Sequence, residues 1–81
     1  MSPKYSDMFG PVLRQLRNRQ NFTQERLGEL AGTTAAFVSM LESGHKSPIL
    51  EMLFKLAYAL KIRPGLFLDE MEKRSGHDLR A

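Results

Sequence analysis

Apolar residues recur along this chain at the spacing of helices, and no stretch alternates with the period of a strand. In FGPVLRQLRNRQN, Phe9, Leu13, Leu16 and Gln20 follow the helical period with the apolar members on one face. Pro11 suits a first turn, so the pattern predicts a helix over 9–20. Asn21 is its expected terminator, because Asn is the commonest substitute for Gly where a chain turns left-handed after a helix. Thr23 is placed to cap a second helix with Leu27, Leu30 and Ala31 inward, and Gly32 ends it. Thr33 or Thr34 caps a third helix, which turns Val38 and Leu41 inward and stops at Gly44. Beyond the loop GHKSP, a fourth helix over 50–61 carries the stripe Leu50, Leu53, Ala57 and Leu60. A fifth takes Pro64 as its first residue and carries Leu66, Phe67, Leu68 and Met71. The expectation is an all-α fold, a compact bundle of five short helices. It forms one domain over 1–81, with an N-terminal arm over 1–8, the helical part over 9–71 and a polar tail over 72–81.

Composition narrows the chemistry. A chain of 81 residues buries little surface for its size and depends on dense helix packing or a partner. It has no Cys, so neither a disulfide framework nor a Cys-based zinc site is available, which is compatible with a reducing cytoplasm. No stretch approaches the roughly 18 apolar residues of a spanning helix, and the expectation is a soluble, cytoplasmic protein without membrane contact. His45 and His77 have no second ligand at metal spacing. No carboxylate pair, Ser or His constellation or Gly-rich phosphate loop occurs at a useful spacing. Neither an enzyme nor a cofactor, metal or small-molecule ligand is therefore expected.

Charge is informative by its distribution. The formal net charge is +3, and all of the excess lies in residues 1–26, where Lys4, Arg14, Arg17, Arg19 and Arg26 stand against Asp7 and Glu25. Residues 27–81 balance. A basic first helix is what a polyanionic partner requires, and also what a solvated basic face looks like.

Several positions together carry a resemblance: LRQLR in the first helix, FTQERLGELAG in the second, FVSMLESG in the third, then Pro48 and LEMLFKLAYAL. From Phe9 to about Met71 the chain resembles the Cro/repressor (XRE-type) helix-turn-helix DNA-binding family. The resemblance implies a lambda-repressor-like domain in which the third helix enters the major groove of double-stranded DNA and the second lies across the backbone. It implies a partly buried ion pair between Arg17 and Glu42. It also implies a phosphate contact for Gln24, next to Thr23, and backbone contacts near Lys46 and Ser47.

The base-reading positions of the family are here Ala35, Ala36, Ser39 and Met40, with Thr34 and Ser43 at the edges. Neither Arg nor Gln stands among them, so bidentate contacts to guanine or adenine are not offered from this helix. Three accounts stay open: apolar and indirect readout, specificity supplied from the sides by His45, Lys46 and first-helix arginines such as Arg14, or a module turned into a protein-interaction adaptor. Phe37 is expected to be half-buried against the second helix. Ile49 stands where the family often has a capping Ser, which passes the cap of the fourth helix to Ser47. On a wheel of about 100° per residue, Phe54, Leu56 and Tyr58 widen the apolar arc of the fourth helix beyond one small core. That excess, with the fifth helix, suggests a homodimer through Phe54, Tyr58, Leu66, Phe67 and Met71, the alternative being a fifth helix that folds back and seals the core of a monomer.

Overall fold

The computed structural model describes residues 4–76, and among these there are five helices and no strand. They are α1 (Ser6–Arg19), α2 (Gln24–Ala31), α3 (Ala35–Glu42), α4 (Leu50–Ala59) and α5 (Gly65–Ser75). Local chemistry sets the end of α1, both ends of α2 and the start of α3. The Thr23 hydroxyl accepts the N–H of Arg26 at 3.0 Å and starts α2, and of the two candidate threonines it is Thr34 that accepts the Phe37 N–H at 3.1 Å and starts α3. Asn21 is left-handed (φ 59°), as is Gly32 at the end of α2 (φ 76°).

The core is one cluster. Phe9, Val12, Leu13 and Leu16 of α1 meet Leu27 and Ala31 of α2, Val38 and Leu41 of α3, Leu56, Ala57 and Leu60 at α4, and Phe67 of α5. Gly10 allows the close approach of α1 to α3: a Cβ there would stand 2.7 Å from the Leu41 carbonyl oxygen. Helix α3 is packed against both α1 and α2, which fixes its orientation.

Several expectations are corrected. Helix α1 begins at Ser6 rather than residue 9, so Pro11 lies inside it and residues 6–8 belong to the helix, not to an arm. Pro11 lacks the N–H that would reach back to Asp7, but the turn before it is held by Phe9, buried against Phe67 with ring centroids 5.1 Å apart. Helix α5 continues to Ser75, past the expected end at residue 71. Leu30 is 42% exposed rather than inward. In α4 the buried arc centres on Leu56, with Ala57, Leu60 and half-buried Leu53. Leu50, about 120° round the wheel from Leu56, is 72% exposed. Ile49, with no side-chain cap bond, precedes α4; Ser47 does not cap it.

Candidate nucleic-acid interface

The eight residues of helix α3 and its C-cap Ser43 fall into three environments. Val38, Leu41 and Glu42 are buried; Ala35, Phe37 and Met40 are half-buried; Ala36, Ser39 and Ser43 are exposed. Spacings of three and four place the exposed group on one face of the helix. That face is shallow, made of a methyl and two hydroxyls, with Thr34 exposed at its head. At its foot the chain curls: the N–H groups of His45 and Lys46 both reach the Met40 carbonyl, at 2.9 and 3.2 Å. The Ser43 hydroxyl donates to the same carbonyl at 3.2 Å and stands 2.7 Å from His45 Nδ1. The Lys46 side chain is left in solvent just beyond the curl.

Behind this face lies one buried acid. The Glu42 side chain is fully buried, and burial alone would push its carboxyl up. The donors around it outweigh that and hold it below the ordinary glutamate value, Arg17 first and then Gln24 and Arg14. Arg17 Nε donates to Oε2 at 2.6 Å, and its Nη2 donates to Oε1 at 3.0 Å. Gln24 Nε2 and Arg14 Nε donate to the same Oε1 at 3.1 and 3.2 Å. Arg17 also donates through Nη1 to the Phe22 carbonyl at 2.7 Å, and the Glu42 hydrogen bonds hold its guanidinium pKa above the usual value. Glu42 thereby ties α1, the first residue of α2 and the end of α3 together.

The residues singled out in the sequence do not form a single surface. Thr23, Thr34, Ala36, Ser39, Ser43 and Lys46 are exposed, and Ala35 and Met40 flank them half-buried. Gln24 and Arg14 are both turned onto Glu42, a pairing that sequence reasoning missed. The spacing of Arg14 and Arg17 on one helix face was the available signal. The dimer set is divided. Phe54 (53% exposed) and Tyr58 (87%) stand beside Leu30 along a groove between α2 and α4. Leu66 and Met71 are half-buried on the core. Phe67 is fully buried, because its side of α5 faces Phe9 of α1, and it is not available to a second copy. His45 is exposed, and His77 lies outside the described residues. Among the described residues no group of three or more His, Cys, Asp or Glu could hold a metal ion, and no helix is long and apolar enough to cross a membrane.

A packed pair of short helices, the second presenting a small polar face over an ion pair to the first helix, defines a helix-turn-helix unit. The helix-turn-helix family model matches residues 13–67. Over 60 residues, 72% of this chain and 91% of the relative, the chain is 33% identical to the uncharacterized HTH-type transcriptional regulator YgzD of Bacillus subtilis (strain 168). It is 35% identical to the restriction-modification controller protein C.AhdI of Aeromonas hydrophila, with a TM-score of 0.71 over 80% of this chain and 92% of that one. The clp gene regulator ClgR of Corynebacterium glutamicum superposes with a TM-score of 0.88 at 25% identity, over 94% of this chain and 81% of that one. The chain belongs to the helix-turn-helix family, as an XRE-type DNA-binding transcription regulator.

Proposed function

We propose that this regulator binds a specific duplex sequence with α3 in the major groove and acts in the manner of a repressor. The observation that carries the reading is the Glu42 hub, which holds the N-terminus of α2 and the exposed face of α3 in one rigid unit beside basic α1. The Thr23 and Thr34 hydroxyls accept backbone N–H groups and keep their own protons to donate to phosphate oxygens. Gln24 and Lys46 supply further donors at the two ends of that unit, and Arg14 stands at its side. Ala35 and Ala36 offer methyls to thymine, Ser39 is the polar base contact, and Met40 packs at the edge.

A face this small discriminates modestly, so backbone contacts carry most of the affinity. The expected slope of log K against log salt is about −0.9 per phosphate neutralised. Lys46→Ala weakens binding to all duplexes alike, whereas Ser39→Ala changes the preference at particular base pairs selected from a random pool. Tight binding that ignores salt contradicts this reading, as does a protein that selects no sequence.

A homodimer on a two-fold operator fits the exposed stripe Leu50, Phe54 and Tyr58 of α4, an apolar surface that monomers seldom leave open. Leu66 and Met71 can contribute only their exposed portions. Light scattering that reports a single chain mass for the wild type rejects the dimer. The reading has no enzymatic component, and the cytoplasm is the compartment in which such a regulator meets DNA.

A further inference from the structure

A basic hollow lies away from the exposed face of α3. An open trough of about 740 Å³ runs between the second half of α1 and the end of α5, lined by Arg14, Gln15, Asn18, Arg19 and Arg74 around the edge of Glu42. Three guanidinium groups from two helices share it. Its one carboxylate is spent, because Oε2 of Glu42 takes Arg17 and Oε1 takes Arg14, Arg17 and Gln24. Glu70, one turn before Arg74, pairs with Lys73 at 3.8 Å. Arg19 and Arg74 form no ion pair among the described residues. Gathering like charges in one concavity is unfavourable without an anion to neutralise them. Guanidinium forks with side-chain amides between them suit the oxygens of a phosphate.

We propose that this trough holds the phosphodiester backbone of the DNA flanking the segment under α3, so that the footprint extends onto α5 through Arg19 and Arg74. The inference rests on the DNA-binding reading above. Continuity argues for the duplex: Arg14 lines the trough and also shares Glu42 Oε1 with Gln24, the first residue of α2. The trough therefore starts where the contact surface of α2 ends. Its open form admits a strand passing through.

The test uses the Arg19→Gln/Arg74→Gln variant, leaving Arg14 and the Glu42 hub intact, and two duplexes with the same bound core, one trimmed to it and one extended on both sides. Anisotropy titrations across salt should show the wild type binding the extended duplex more tightly. The variant should lose about tenfold on that duplex, with a salt slope shallower by about 1.8 for two lost contacts. It should match the wild type on the trimmed duplex and in thermal melting. An equal loss on both duplexes overturns the flanking placement. Inorganic phosphate that protects the wild type but not the variant against thermal unfolding, with no effect of duplex length, assigns the trough to a free anion and overturns it as well. If the wild type binds DNA and the variant is indistinguishable from it, this inference alone fails; if the wild type binds neither duplex, the DNA reading fails with it.

Discussion

Replacing Arg17 with Met removes the strongest restraint on the buried acid at the centre of the fold. The substitution deletes the 2.6 Å bond to Glu42 Oε2, the 3.0 Å bond to Oε1 and the 2.7 Å bond to the Phe22 carbonyl. Oε1 keeps Gln24 and Arg14, but Oε2 has no other donor, and the Glu42 side chain has no exposure through which water could replace it. Breaking one partner of a buried pair costs about 3–5 kcal/mol, and the two surviving bonds place this case near 3. That is a large share of the roughly 4–12 kcal/mol expected for a domain of this length. Thermal melting followed by circular dichroism should show Tm falling by about 12–24 °C. Arg26→Met is the control, because it breaks only the exposed pair with Glu29 and should cost less than about 1 kcal/mol.

The pH dependence gives the same prediction a second readout. In the wild type the folded carboxyl of Glu42 lies below its ordinary value of 4.5. Its contribution is therefore fully present above 4.5 and is lost as pH falls through the depressed folded value. Without Arg17 the carboxyl loses the largest of the donors that hold it down and its folded pKa moves up, so protonation costs the variant less than it costs the wild type. The gap in Tm between wild type and variant should be wide at neutral pH and should narrow on acidification. Equal melting of the Arg17 and Arg26 variants would show that Glu42 does not depend on Arg17, as would a gap that stays constant with pH.

Gly10→Ala should destabilise by at least about 2 kcal/mol in urea unfolding, because the new methyl meets the backbone of Leu41 and Glu42, which cannot swing aside as a side chain would; wild-type stability would show that α1 and α3 are not so close. Tyr58→Glu, at a residue 87% exposed, should leave a folded chain with weakened self-association, whereas Phe67→Glu should unfold it. A folded, monomeric Phe67→Glu protein would return Phe67 to the surface.

Local chemistry was legible in the sequence, and distant packing was not. Thr23, Asn21 and Gly32 act through their own backbone neighbours, so the edges of α2 and the end of α1 could be read from residue type. The start of α1 could not, since Pro11 argues for a first turn and the residues before it are held by Phe67, far along the chain. The period of α4 marked an apolar arc too wide for its core, but only the docking of α2 decided that Leu56 is inside and Leu50 outside. In the site, the outward face of Ala36, Ser39 and Ser43 follows from the inward positions Val38 and Leu41. The capture of Arg14 and Gln24 by Glu42, and the meeting of Arg74 with Arg19, depend on how four helices come together.

If the exposed face of α3 lies against DNA, Ala36→Glu should separate folding from binding. Ala36 is exposed in the first turn of α3, where a carboxylate is favourable to the helix, so the melting temperature should hold or rise slightly. The same carboxylate would sit against the phosphates and base edges of a bound duplex. In an anisotropy titration on a duplex selected by the wild type, the variant should lose at least about tenfold in affinity. A stable Ala36→Glu protein that binds that duplex as tightly as the wild type would place DNA on some other surface and contradict the account.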